Sequence, residues 1–402
     1  MTTKAAGACA PDLIYLDHAA ATPLLPEVAA AMTEARAAAF ANPSSPHAAG
    51  RRARHLLEDA RERILALVGT DLGPGAALVF TSGATEANRL GILGLATESR
   101  GRVLVSARDH SSGRAAAREL VARGWEQVDV PLRADGTLAL PVDAAEETAG
   151  AILSATLVCG QSGSREDALG LAAWAAARPG RRVHLDATQA MLAGGGHGTG
   201  TFGLPPAAAT TLALAPHKFG GPRGIGGLVV RHGVALAAVV PATQESGLRG
   251  GTEAVDLAVG FARALEVALV DRERVARQIA TLRDRLETGL LAAASAAGSD
   301  AVVIGGDSPR APHVATVAFP GLDRQALVMA ADLEGVCCAT GTACASGSSE
   351  PAPALVAMGL SESIVAGAVR LSLGPDTTAA DVDAAAERLG RVLARMARRA
   401  GG

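Results

Sequence analysis

Thr211-Leu212-Ala213-Leu214-Ala215-Pro216-His217-Lys218-Phe219-Gly220-Gly221-Pro222-Arg223-Gly224 joins an apolar run to a turn rich in Gly and Pro, with a lysine at the junction. A short apolar run bounded by turn residues predicts a buried strand, and such a strand delivers the residue at its end to a site. The lysine carries weight because lysine is rare here: of 37 Lys and Arg residues, only Lys4 and Lys218 are lysines. Arginine has taken over the solvated surface. A lysine kept mid-chain then implies an amine that must be able to lose its proton, which a guanidinium does not do at ordinary pH. A leftover surface lysine is the alternative, and the apolar run before Lys218 argues against it.

Outward from Lys218, strands and helices alternate. Strands are predicted at Arg102–Ser106, Gln127–Leu132, Ala151–Val158, Arg182–Asp186, Thr210–Leu214 and Gly226–Arg231. Strand followed by helix, repeated, implies an α/β fold with a mainly parallel sheet covered on both faces. Ligands of such sheets sit beyond the carboxyl ends of the strands. Thr85, His110, Asp186, Gln189 and Lys218 all fall there. In Leu78-Val79-Phe80-Thr81-Ser82-Gly83-Ala84-Thr85-Glu86-Ala87-Asn88, a strand runs through a small-residue turn into a helix beginning near Ala84. Backbone N–H groups there, beside the Ser82 and Thr85 hydroxyls, make an anion cup; plain helix capping is the bland alternative.

Upstream, helices are predicted from Pro26 to about Phe40, with Pro in the first turn, and through an Arg-laced stretch to about Val68. Past Thr252 one long helical tract is predicted over Val255–Ala297, then weaker strands at Ala301–Ile304, His313–Phe319 and Val369–Ser372. Between them Cys337–Pro353, rich in Gly, Ser, Ala and Pro, reads as a mobile loop carrying Cys344.

Composition narrows the class. A chain of 402 residues suits two domains, and 49% apolar content supplies ample core, although 2% aromatics make it a core of small side chains. Net charge is −3 with the arginines spread out, so nucleic-acid and membrane-surface roles have no electrostatic support. No apolar run approaches the roughly 20 residues of a membrane span. Five cysteines, three of them at 337, 338 and 344, do not make a disulfide framework, and the cytoplasm is the expected compartment. No metal-ligand pattern stands out.

An amine that deprotonates, a carboxylate and an anion cup suit chemistry on pyridoxal phosphate (PLP), a carbonyl cofactor. A carboxylate beside the pyridine nitrogen keeps it cationic through charge pairing. Asp186, ending a predicted strand in His184-Leu185-Asp186-Ala187-Thr188-Gln189, fits; a surface Asp capping the next helix is its alternative.

With these motifs in view, the chain resembles the NifS/IscS-type cysteine desulfurases, class V enzymes of PLP fold type I. The resemblance runs from Tyr15 to about Asp376. Its carriers are Tyr15-Leu16-Asp17-His18-Ala19-Ala20, Asn42-Pro43-Ser44-Ser45, Thr81-Ser82-Gly83-Ala84-Thr85-Glu86, Asp186-Ala187-Thr188-Gln189 and His217-Lys218. Further carriers are Gly247-Leu248-Arg249-Gly250-Gly251-Thr252, Gly341-Thr342-Ala343-Cys344-Ala345-Ser346 with Glu350-Pro351, and Arg370-Leu371-Ser372-Leu373-Gly374.

The resemblance implies a large, mainly parallel-sheet PLP domain over 18–254. It implies a smaller α+β domain from 1–17 plus 255–402, carrying the mobile loop of about 337–353. By it Lys218 holds PLP, Asp186 pairs with the ring nitrogen, His110 stacks on the ring and Gln189 bonds the phenolic oxygen. Ala84, Thr85 and His217 hold the phosphate, and Thr252 reaches the partner's phosphate in a homodimer. Arg370 clamps the carboxylate of the substrate, L-cysteine, a task suited to a bidentate fork. Cys344 attacks the substrate sulfur, leaving alanine and a persulfide bound for a sulfur-acceptor protein. Cys337 and Cys338 read as inert.

Three positions depart from the family pattern. Cys159-Gly160-Gln161 stands where the family has Asn-Asn-Glu, Ala215 where it has a phosphate-binding Ser, and Glu166 where it has Gln. Either a neighbour such as Gln161 has taken over from the missing Asn, or the site is loosened for slow, partner-dependent turnover; the added backbone freedom of Gly favours the second. Two other readings remain at this stage: a PLP lyase or transaminase acting on another amino acid, and a weakened relative serving as a sulfur-pathway scaffold.

Overall fold

The computed structural model describes residues 13–141, 150–194, 201–205, 208–341 and 350–400. Its strands are β1 (Ile14–Tyr15), β2 (Ala77–Thr81), β3 (Arg102–Val105), β4 (Glu126–Asp129), β5 (Ala151–Thr156) and β6 (Arg181–Asp186). They continue with β7 (Thr211–Leu214), β8 (Gly226–Val230), β9 (Val302–Val303), β10 (Val314–Ala318), β11 (Val336–Cys337) and β12 (Ala368–Ser372). Seven form one sheet in the order β2-β8-β7-β6-β5-β3-β4. Only β8 runs against its neighbours, pairing antiparallel with both β2 and β7.

The strand chemistry follows the layering. Every residue of β5 and of β7 is buried, as a sheet covered on both faces requires. Edge strand β4 is Glu-Gln-Val-Asp, with Glu126, Gln127 and Asp129 exposed, which blunts an open edge. It ends at Asp129 rather than at the expected Leu132, because Leu132 instead bridges to Leu138 in a local turn.

The helices are α1 (Pro26–Ala38), α2 (Ala48–Val68), α3 (Ala84–Leu95), α4 (Ser111–Ala122), α5 (Ala168–Ala176) and α6 (Val255–Leu269). After them come α7 (Arg272–Ala296), α8 (Arg324–Leu333), α9 (Pro353–Ala357), α10 (Glu362–Ala366) and α11 (Ala379–Ala400). The strand period of two splits β6 cleanly. Val183 and Leu185 join the core with α2, α5 and α6, while His184 and Asp186 face Asn88 on α3. In β7 likewise, Leu212 and Leu214 face that core and Thr211 meets His184.

The tract expected as one helix over Val255–Ala297 is two. Val270 is extended and Asp271 lies in the left-handed region at φ 52°, so the chain turns between α6 and α7. The halves serve different cores. α6 buries Val255, Ala258, Phe261 and Leu265 with the large sheet, whereas Ile279, Leu286 and Leu290 of α7 pack with Leu16, Val317, Leu371 and Leu389. That second core lies under a three-stranded antiparallel sheet, β12-β10-β9, and the parallel pair β1-β11. Among the described residues, no helix is long and apolar enough to cross a membrane.

Candidate active site

The site assembles where β2, β3, β5, β6 and β7 end. Asp186 closes β6 and is 7% exposed; its Oδ1 accepts from Thr188 N at 2.9 Å and its Oδ2 from Asn88 Nδ2 at 2.8 Å. Lys218 ends a short helical turn just after β7. Its Nζ donates to Ala19 O at 2.8 Å and Ala20 O at 2.7 Å, in the strap that follows β1.

His110 caps the N-terminus of α4. Its Nδ1 accepts from Ser112 N at 3.2 Å and lies 2.8 Å from Ser112 Oγ, so the ring proton belongs on Nε2. Partial desolvation lowers its pKa, Lys218 and Arg114 push the same way, and Asp186 opposes them. A neutral imidazole results, open to the cleft.

Gln189 donates from Nε2 to Ala19 O at 2.7 Å, and its Oε1 faces His313 Nε2 at 3.3 Å. A carbonyl can only accept, so this pair of contacts orients the amide. Burial pushes the pKa of His217 down to about 4, with Lys218 and Arg223 adding to it, so His217 is a neutral donor beside Lys218. Ala84 and Thr85 open α3 as expected, and Thr85 is exposed.

Arg370 sits in β12, only 4% exposed. Its Nη2 donates to Asp17 Oδ1 at 2.7 Å and its Nη1 to Gly160 O at 2.9 Å; Nε is buried without a hydrogen-bond partner. Asp17, inside the Tyr15–Ala20 motif but assigned no task from it, thus holds the guanidinium from one side. Thr252 is exposed, apart from these residues. Cys344 lies outside the described residues. Burial pushes the Cys338 thiol up to about 12, which keeps it protonated and a poor nucleophile.

At two of the departures from the family pattern, Glu166 and the Gly160-Gln161 pair, the structure shows the surroundings; nothing in it explains Ala215. Glu166 makes a buried ion pair with Arg108, and its carboxylate also accepts from Leu138 N and Asp167 N. Arg108 completes the knot through Gly136 O at 2.9 Å and Ser164 O at 3.1 Å. Removing one partner of a buried pair typically costs roughly 3–5 kcal/mol, so Glu166 holds loops together. The Oε1 of Gln161 is turned away to another task, accepting from Ala354 N at 2.9 Å at the start of α9. The nearest atoms to a Cβ on Gly160 would be those of Gln189, none closer than 3.7 Å, so the position has room for a side chain.

No motif of the sequence gives a task to Asn88, His184, His313 or Arg108. For Asn88 a signal existed: it is a lone amide on a helix face otherwise made of Ala87, Leu90 and Gly91, and buried amides require partners.

These residues suit PLP. Asp186 offers a buried anion, Lys218 an amine held at Ala19 and Ala20, His110 a neutral ring, and Arg370 a buried cation with an unspent N–H. Among the described residues no group of His, Cys, Asp and Glu could hold a metal ion.

The chain is similar to known proteins over most of its length. A cysteine desulfurase of Cereibacter sphaeroides is 35% identical over 375 residues, covering 92% of this chain and 93% of that protein. An IscS-like cysteine desulfurase of Mycobacterium tuberculosis is 33% identical, covering 96% and 98%. A solved NifS-like protein shares the fold with a TM-score of 0.82 at 24% identity, over 95% of this chain and all of that one. The family model for aminotransferase class-V matches residues 14–385, and on that span the chain belongs to the class-V aminotransferase family.

Proposed function

We propose that the protein is a PLP-dependent cysteine desulfurase. It would convert L-cysteine to L-alanine, the sulfur leaving carbon to form a persulfide on Cys344 and then passing to an acceptor protein. The observation that carries this reading is that Asp186 and Lys218 both act electrostatically on His110, while Lys218 and Arg370 are held by one strap, at Ala19 and Ala20 and at Asp17.

When bound, PLP supplies a cationic ring that withdraws electrons from the substrate's Cα. Asp186 would keep the ring nitrogen protonated by charge pairing. Lys218 would hold the cofactor and, once displaced, carry a proton to and from Cα. Neutral His217 and the amides opening α3 at Ala84 and Thr85 would donate to the phosphate. Gln189, oriented by Ala19 O and His313, would give its second N–H to the phenolic oxygen. Arg370 would take the substrate carboxylate, steadied by Asp17. A homodimer belongs to this reading. Phe40, 82% exposed, borders a hollow of about 520 Å³ also lined by Arg36, Asn42 and Thr252, which supports a partner surface there. A cytoplasmic setting fits the free cysteines among the described residues.

The test is incubation with PLP and L-cysteine, measuring alanine and sulfide with and without a reductant. With reductant, alanine and sulfide should appear in equal amounts. Without it, alanine should stall near one equivalent per chain while sulfur stays on the protein. Pyruvate or a keto acid in place of alanine would overturn the reading in favour of a lyase or transaminase.

Gly160 lacks the side chain that could touch the cofactor face, and Gln161 is committed to Ala354 N. A hydrogen bond to a charged group contributes roughly 1.5–3 kcal/mol, about tenfold or more in rate or affinity. Gly160→Asn should therefore raise the basal rate with L-cysteine by about tenfold, the space beside Gln189 accommodating it. No gain at full PLP occupancy, or rapid turnover by the unaltered chain alone, would show that the site has not been loosened.

A further inference from the structure

Asn88 lies at the crossing of two hydrogen-bond paths. It is 2% exposed, and its whole amide is engaged. Nδ2 donates to Asp186 Oδ2 at 2.8 Å and to Ser112 Oγ at 3.0 Å, while Oδ1 lies 3.0 Å from His184 Nε2. The carboxylate of Asp186 accepts only, so the amide orientation is decided by chemistry. His184 Nε2 must then donate, and His184 Nδ1 accepts from Thr211 Oγ1 at 3.0 Å. On the other path the Ser112 hydroxyl, already accepting from Asn88, donates to His110 Nδ1 at 2.8 Å. Every donor on the first path points toward Asp186.

The scaffold is built around this geometry. His184 and Asp186 share one face of β6, and Asn88 faces them from α3. A Cβ on Gly91, one turn on from Asn88, would come 2.3 Å from His184 Nδ1, so only glycine lets the imidazole reach the amide. Burial holds the pKa of His184 down to about 4, despite the opposing pull of Asp186, which keeps a single proton on the ring.

We infer that Asn88, oriented by His184, is a positioning residue that aims both Asp186 and His110 at the cofactor ring, so that the anion under the ring nitrogen and the ring stacked on it are set by one amide. The inference rests on the PLP reading above. Among the described residues, Asp109, which burial raises to about 7, His110 and His184 all feel the charge of Asp186.

The experiment measures PLP affinity and the visible absorption of the bound cofactor against pH for the wild type, Asn88→Ala, His184→Leu and His184→Gln. Thermal unfolding of each protein serves as a folding control. Asn88→Ala should weaken PLP binding by roughly tenfold to a hundredfold, the range for losing hydrogen bonds to a charged group, and should displace the absorption midpoint. His184→Leu should show a smaller change in the same direction. His184→Gln, whose amide can donate to Asn88 Oδ1 as Nε2 does, should restore both readouts. Thr211→Val, close to isosteric, gives a variant that tests the chain if the others unfold; freeing Nδ1 should still displace the midpoint. Folded Asn88→Ala or Thr211→Val protein with wild-type affinity and midpoint overturns the inference and leaves the PLP reading standing. A wild-type chain that takes up no PLP overturns both.

Discussion

Lys218→Ala protein, incubated with PLP and then borohydride, should retain no covalently trapped cofactor, and its cysteine turnover should fall by roughly 10³-fold or more. The amine is expected both to hold the cofactor and to move a proton, and loss of a proton-transfer group alone typically costs 10²–10⁴. Lys218→Arg separates amine from charge. A guanidinium could still donate toward the carbonyls of Ala19 and Ala20, which accept from Nζ at 2.8 and 2.7 Å, but it cannot deprotonate to attack an aldehyde. Both variants should therefore fail alike, with unfolding temperatures close to wild type. An undiminished trapped adduct in Lys218→Ala, located by peptide mapping, would place the cofactor elsewhere.

Cys344→Ser should bind PLP and still change its absorption on adding L-cysteine, yet form no persulfide and release no sulfide above background. The thiolate is the species that attacks sulfur; a hydroxyl at that position is neither ionised near neutral pH nor soft enough to replace it. Cys338 is a poor substitute because burial holds its thiol up to about 12, and Cys159 is fully buried. Cys338→Ser should accordingly leave turnover within about twofold, since a thiol kept protonated contributes little nucleophile. Persulfide labelling on Cys337 or Cys338 in the Cys344→Ser protein would move the nucleophile to the preceding strand.

Much of the site was legible because its signals are local. A strand end followed by a small-residue turn places Asp186, Lys218 and the Thr81–Glu86 turn, and each is written within a dozen consecutive residues. The alternation of strand and helix carried the parallel sheet for the same reason: period-two burial is a property of short windows. The helix break at Val270 and Asp271 was not legible. Helical periodicity continues across it, and the left-handed residue is an aspartate rather than the glycine that ordinarily marks such a turn.

The sequence alone determined the class of fold and the edge of the sheet at which a ligand is expected, and it supplied the amine, carboxylate and thiol on which the proposed chemistry rests. What only the tertiary structure decided are the contacts between residues far apart in the chain. Asp17 meets Arg370 across 353 positions, His184 meets Asn88 across 96, and Glu166 meets Arg108 across 58. Each is a polar group buried until its partner matters more than its neighbours, and nothing local names that partner. The division of α6 and α7 between two cores belongs with them. Amphipathic helices announce that they will bury a face, but not against what; that is settled only when the sheets on which they lie have been brought together.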